Sequence, residues 1–284
     1  MSKIESAVSG RSCTLLVETQ QQPGAAASPA GHKSKELAVS REESFPNEST
    51  REVLVLLPAH DEESSIGGVL EELRRLAPTF DRLVINDGST DATSAVVERL
   101  GERELRLPFN LGYGGALQVG LRYALASGYE IVVFLDADGQ HRPKDVPRLV
   151  AALQMGRADV VIGSRYVSGG SYDGALGRRI GQRLFSFFSS TVTARRIWDT
   201  TSGLKAMKRC AYGPLTTGTF LDFHVEALVK WSLLGLSVEE IPVVVRRREH
   251  GSSMHGWGSA LGYPLKTLLL TLVAATDVWI GEDR

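Results

Sequence analysis

Between residues 53 and 165, short apolar runs alternate with amphipathic stretches, and every apolar run stops on a polar cluster. EVLVLL runs into PAHDEE, RLVI into NDGSTD, EIVVFL into DADGQH and ADVVI into GSR. Continuous Val, Leu and Ile over four or five positions mark strands buried on both faces. The stretches between them have helical periodicity. The first places Ile66, Val69, Leu70, Leu73 and Leu76 on one stripe. DATSAVVERL, GGALQVGLRYALASG and PKDVPRLVAALQ follow, the third element closing on Gly128 and the last opening on Pro143. A short strand, ELRL, sits between the second and third helices. This alternation predicts an α/β fold with a mainly parallel sheet flanked by helices. In such sheets ligands bind beyond the carboxyl ends of the strands. Four polar clusters are therefore expected to meet in one crevice.

The remaining sequence limits the alternatives. Residues 1–50 include QQQPGAAASPAGHKSK and REESFPNEST and have no apolar period, so they read as a disordered tail. Residues 51–256 read as the catalytic-sized domain, and 257–284 as a C-terminal amphipathic or membrane-surface helix packed on it. The formal net charge of −1 gives no reason to expect nucleic acid. Two cysteines, Cys13 and Cys210, argue against a disulfide framework and fit a reducing, cytoplasmic compartment. The start, MSKIESAVSGRSC, lacks the apolar stretch of a signal peptide. LKTLLLTLVAATDVWI is broken by Lys266 and Asp277 and is too short to span a bilayer, which takes ~20 residues.

Asp136 and Asp138 end the most apolar strand one residue apart. Two neighbouring carboxylates repel, and a hard divalent cation such as Mg2+ or Mn2+ relieves them. Magnesium is usually shared with substrate phosphates, so a metal carrying a diphosphate is expected. Asp87 ends the adjacent strand, and Gly88 permits a tight turn. Asp87 reads equally as an Asx turn before a helix capped around Ser89–Asp91 or as a carboxylate that recognises a base or ribose. NLGYGGA (110–116) opens a helix whose first N–H groups suit phosphate. It lacks the GK[ST] of a Walker loop.

PAHDE, INDGSTD, NLGYGGA, DADGQH, GSRY, DTTSGLKAM and RREHGSS stand in the order and at the approximate spacing of family-2 glycosyltransferases. The chain most resembles the polyprenyl-phosphate sugar synthase branch, over roughly residues 53–280. The resemblance implies a GT-A fold and a nucleotide diphosphate sugar donor. By similarity, Pro58, Ala59 and Glu62 frame the nucleotide, Asp87 with Gly88 contacts the base or ribose, and Asp136, Ala137 and Asp138 form the metal–diphosphate block. Gln140 lies beside the sugar, Arg165 and Arg248 grip phosphates, and Arg178, Arg179, Arg183 and Ser253 belong to the acceptor-phosphate site. There are departures. Asn86 stands where many relatives have an acid, Asp61 where Asn is usual, Gln182 where some have Ser and Met254 where some have Lys. They count against a specific assignment to mannose.

The reaction implied is inverting displacement at the anomeric carbon, with the cation and arginines stabilising the departing nucleoside diphosphate. A phosphate acceptor titrates near ~6 and needs little general base. It needs arginines, which abound after the metal block. A hydroxyl acceptor would need a base, for which Asp222, Glu226 and Asp199 are candidates. That second reading places the enzyme in polysaccharide, glycolipid or natural-product assembly. A third is a nucleotide-sugar binding protein without turnover. His224, His250 and His255 lack metal-ligand spacing and read as packing or surface residues. RRIGQRLFSFFSSTVTARRIW (178–198) mixes arginines with aromatics and suits a helix on an anionic surface. The expected partners are a nucleotide sugar, a polyprenyl phosphate and a small membrane-embedded protein, with the enzyme peripheral on the cytoplasmic membrane face.

Overall fold

The computed structural model describes residues 52–156, 158–167, 197–217 and 223–246, all within residues 50–284, the second of the chain's two units. The tail (1–50), the 178–196 segment with Arg178, Arg179 and Arg183, Asp222, Arg248, Ser253 and the 257–284 segment lie outside the described residues.

The described chain begins with strand β1 (Val53–Ala59), helix α1 (Ile66–Leu76), β2 (Asp81–Asn86), α2 (Thr93–Arg99) and β3 (Arg103–Arg106). Helix α3 (Gly112–Ala126), β4 (Ile131–Phe134), α4 (Val146–Gln154) and β5 (Val160–Ser164) follow. After residues 168–196 come β6 (Lys205–Lys208), a single turn α5 (Arg209–Tyr212), α6 (Phe223–Leu233) and β7 (Val238–Pro242). The sequence-derived helix starting at Pro143 begins instead as a 3-10 turn (Pro143–Asp145) and becomes α-helical at Val146.

The strands form one sheet in the order β3-β2-β1-β4-β6-β5-β7. Leu56 of β1 lies between Leu83 of β2 and Phe134 of β4, both parallel neighbours. Strand β6 is antiparallel to β4 and β5, with Ala206 opposite Val133 on one side and Val161 on the other. Strand β5 thus regains the direction of β4, and β7 runs parallel to it. All strands but β6 share one direction, so the ends of β1, β2, β4 and β5 reach the same edge.

Strand alternation divides the core between two faces. Val55, Leu57 and Val133 join Leu70 and Leu73 of α1 and Leu149 of α4 in one cluster. Leu54, Leu56, Val132 and Phe134 join Leu117 and Leu121 of α3 and Trp231 of α6 in the other. Each fully buried aliphatic side chain contributes about 1.5–3 kcal/mol. Helix α3 sits close to the sheet because position 120 has no side chain. A Cβ there would lie 2.9 Å from Leu56 Cδ1 and 3.3 Å from Ile85 Cγ1.

Candidate active site

The β1–α1 and β2–α2 loops are laced together at the carboxyl edge. His60 Nδ1–H donates to the Asp87 carbonyl at 2.8 Å, and the Asp87 N–H donates to the Ala59 carbonyl at 2.8 Å. The Asp61 N–H donates to the Ser89 hydroxyl at 3.0 Å, and the Glu62 N–H to Thr93 Oγ1 at 2.9 Å. In return the Asp61 carboxylate accepts from the Thr90 N–H at 2.8 Å. Asp61 takes φ 54°, a left-handed conformation that Asp and Asn tolerate better than most residues. The lacing holds Pro58, Ala59, Glu62 and Asp87 within one pair of strand ends, and the Glu62 carboxylate also accepts the Ser65 hydroxyl.

Asp87 is buried, and its Oδ1 accepts the Leu111 N–H at 2.7 Å. The turn that follows is closed by Asn86, whose Oδ1 accepts the Ser89 N–H at 2.9 Å, while Asp91 takes the Thr93 N–H at 2.9 Å. Asp87 is therefore not the turn's own cap; it ties β2 to the start of α3. Gly88 has φ 67°, and a Cβ there would lie 2.7 Å from the backbone of Phe109 and Asn110, so both conformation and space require glycine. The Gly112 N–H donates to Asn110 Oδ1 at 2.7 Å. The N–H groups of Leu111 and Gly112 are thus spent on side chains, which leaves the phosphate expectation for NLGYGGA to the N–H groups further into the first turn of α3.

At the end of β4, Asp136 Oδ1 accepts the Tyr113 hydroxyl at 3.1 Å. Burial first, and then the Asp138 charge, push the Asp136 carboxyl up to about 6, against the Tyr113 hydroxyl, Lys205 and Arg165. That is the like-charge conflict a cation would relieve. Asp138 closes the next turn by accepting the Gln140 N–H at 3.0 Å, with Gly139 at φ 71°. The Gln140 carbonyl accepts the Arg246 N–H at 2.9 Å, so the chain reaches this turn two residues before Arg248. The donor set fits a hard cation: two carboxylates, with no cluster of three or more His, Cys, Asp or Glu among the described residues. The remaining ligands would be phosphate oxygens and water.

Arg165 follows β5. Its Nε and Nη2 donate to the two carboxylate oxygens of Asp199 at 2.8 and 2.7 Å, and Nη2 also donates to Thr201 Oγ1 at 2.9 Å. Asp199 is wholly buried and accepts the Arg165 N–H as well, which commits it to this pair rather than to service as a base. Glu226 is buried too. His141 is buried, with Nδ1 unpartnered among the described residues. Burial, then the Arg165 and Lys205 charges, lower its pKa to about 4 against the pull of Asp199, keeping the ring neutral.

Sequence reasoning did not single out three residues that the structure places here, Tyr113, Gly203 and Lys205; His224, read from sequence as a packing or surface residue, stacks on the Tyr113 ring. A Cβ on Gly203 would lie 1.7 Å from Asp136 Oδ2. Lys205 is 1% exposed; its ammonium donates to the Ser202 carbonyl and to His224 Nδ1, the latter at 3.0 Å.

A family profile, glycosyl transferase family 2, matches residues 54–213, more than half of the chain. An undecaprenyl-phosphate mannosyltransferase of Micrococcus luteus is 30% identical over 216 residues, 72% of this chain and 88% of that protein. A polyprenol monophosphomannose synthase of Mycolicibacterium smegmatis is 29% identical over 215 residues, covering 72% and 81%. Among solved structures, glucosyl-3-phosphoglycerate synthase of Mycobacterium tuberculosis in complex with Mn2+ and UDP-glucose superposes with a TM-score of 0.61 at 26% identity, covering 78% and 79%.

Proposed function

The chain belongs to glycosyl transferase family 2, and from that membership we propose that it transfers a sugar, with inversion, from a nucleotide diphosphate sugar to a polyprenyl phosphate. The observation that carries this reading is the meeting of four strand ends at one edge, with Asp136 and Asp138 at its centre and a recessed Asp87 beside them. The acceptor class comes from the two relatives that act on polyprenyl phosphates.

In this mechanism Pro58, Ala59, Glu62, Asp87 and Gly88 bind the nucleoside, and Asp136, Ala137 and Asp138 face the diphosphate. Asp136 and Asp138 would hold Mg2+ or Mn2+, which when bound supplies positive charge to the leaving diphosphate. A Mn2+-containing structural neighbour supports a divalent ion of this kind. Gln140, backing on Asp138, orients the sugar. Arg165, held by the buried Asp199 carboxylate, is the arginine proposed to grip phosphate there, and its charge reaches Asp136. Arg178, Arg179, Arg183, Arg248 and Ser253 are proposed to hold the acceptor phosphate. No general base is required, because the acceptor oxygen is already anionic near neutral pH. The enzyme works peripherally at the cytoplasmic membrane face; among the described residues no helix is long and apolar enough to cross a membrane.

A panel of UDP- and GDP-sugars with polyprenyl phosphate and Mn2+, scored for nucleoside diphosphate release, tests the reading. Release is expected with one donor and to vanish on chelation and in Asp138→Asn. Turnover that persists in Asp138→Asn with chelator present would end the proposal. Sedimentation of the purified chain with liposomes, compared with cell membranes, decides whether a membrane-embedded protein partner is needed.

A further inference from the structure

Asp136 is approached by two segments besides its own, and a third element braces one of them. Tyr113, in the first turn of α3, gives its hydroxyl to Oδ1. Gly203, just before β6, lies so close to Oδ2 that no side chain fits there. The Tyr113 ring lies against the ring of His224 on α6, centroids 5.2 Å apart and planes 31° from parallel. His224 Nδ1 in turn accepts from the buried Lys205 ammonium, which also holds the Ser202 carbonyl. A chain of contacts therefore runs from the Asp136 carboxylate through Tyr113, His224 and Lys205 back to the residue before Gly203.

Packing alone does not call for this tyrosine. A phenylalanine would keep the ring on His224, so the hydroxyl is the part left to explain. A carboxylate turns easily about its last side-chain bond, whose rotamer wells are broad. A cation shared with a diphosphate needs the carboxylate in one orientation. Burial and the Asp136 and Asp138 charges hold the phenol pKa well above its ordinary value, so it stays a donor.

We propose that Tyr113 is a positioning residue for Asp136: its hydroxyl, braced through His224 and Lys205, fixes the carboxylate in the orientation that receives the divalent cation. The proposal rests on the reading of Asp136 and Asp138 as the cation-holding pair. It gives the NLGYGGA segment a role through a side chain, Tyr113, rather than through its backbone alone. Outer-sphere partners of this kind are worth about 10–100-fold in metal affinity.

The test uses the full chain and Mn2+, with free Mn2+ followed by electron paramagnetic resonance, alone and with UDP or GDP. Tyr113→Phe is expected to weaken Mn2+ binding at least ~10-fold. Its nucleotide affinity in chelator should match the parent chain, and its thermal midpoint should fall only by the small amount that loss of one hydrogen bond to a buried carboxylate brings. In turnover, the metal concentration for half-maximal rate should rise while the rate at saturating metal stays near the parent value. Unchanged Mn2+ affinity in Tyr113→Phe, with binding lost in Asp138→Asn, overturns the positioning role alone. A joint fall of midpoint and metal-free nucleotide affinity overturns it too, by making the hydroxyl a general packing group. If Asp138→Asn also binds Mn2+ normally, the cation-holding pair itself is wrong.

Discussion

Asn86 shows how one residue's departure from a family pattern is absorbed locally. Its amide donates to Glu104 Oε1 at 2.6 Å and to Ser94 Oγ at 2.7 Å, with no exposure to solvent. An acid at 86 would face Glu104 without a proton between them. Asn86→Asp is therefore expected to cost about 1–3 kcal/mol, seen as a lower urea midpoint, and Glu104→Gln in the same chain should restore most of it. Asp136 and His141 carry opposite pH signatures. The Asp136 carboxyl sits at about 6 in the folded chain against 3.8 ordinarily, so the folded state holds the extra proton. Its contribution to stability falls as pH rises from about 4 to about 6 and stays lost above. The His141 imidazole sits at about 4 against 6.5, so its contribution is complete above 6.5 and lost as pH falls towards 4. Between these limits the two slopes offset each other. Asp136→Asn should stabilise the metal-free chain by about 3 kcal/mol at pH 7, and the gain should vanish near pH 4. His141→Gln should expose the opposite slope, with stability rising on acidification over that window. Differential thermal midpoints across pH 4–8 measure both.

At the scale of elements, α3 and the turn before β6 set the site by how closely they approach. Gly203→Ala would drive a methyl into the Asp136 carboxylate and should abolish Mn2+ binding and turnover. Gly213→Ala, where a Cβ meets nothing within 4 Å, is the control and should leave both intact. Strands β1, β2, β4 and β5 were legible because continuous apolar runs of this kind are buried on both faces. Strand β6 was not: KAMK is short, flanked by lysines, and its first lysine is buried through hydrogen bonds that no local pattern announces. Strand β7, VEEIP, is half-buried throughout and lacks a clean alternation. Their antiparallel and edge positions reflect pairings across long stretches of chain. The candidate site divides the same way. The acids at the strand ends could be read from the chain, whereas Tyr113 meets Asp136 across 23 positions and Gly203 meets it across 67. Such contacts arise from α3 and β6 docking on β4, not from spacing. The arginine at 165 was legible as a charge at a strand end, but its capture by Asp199 depends on a second segment folding over it.

Taken as a whole molecule, the chain has a net charge of −1 and no global field to draw in a doubly anionic donor. Attraction has to be made locally, at an edge where the sheet has instead gathered carboxylates. On the proposed reading a cation held there would offset the repulsion between that edge and a diphosphate, so donor affinity and metal affinity should be linked and each should raise the other. The same linkage couples the site to protons. A cation entering the Asp136–Asp138 pair displaces the proton that Asp136 holds below about 6. Mn2+ affinity, measured calorimetrically in buffers of different ionisation enthalpy, should therefore be flat above pH ~7. It should fall up to ~10-fold per unit below about 6, with close to one proton released per ion there. In Asp136→Asn the weaker residual binding should lose the step that the Asp136 carboxyl contributes. Mn2+ affinity in the parent chain that stayed flat from pH 7 to pH 5 would mean that the cation does not enter the pair, and the edge that the fold assembles would then bind its donor by other means.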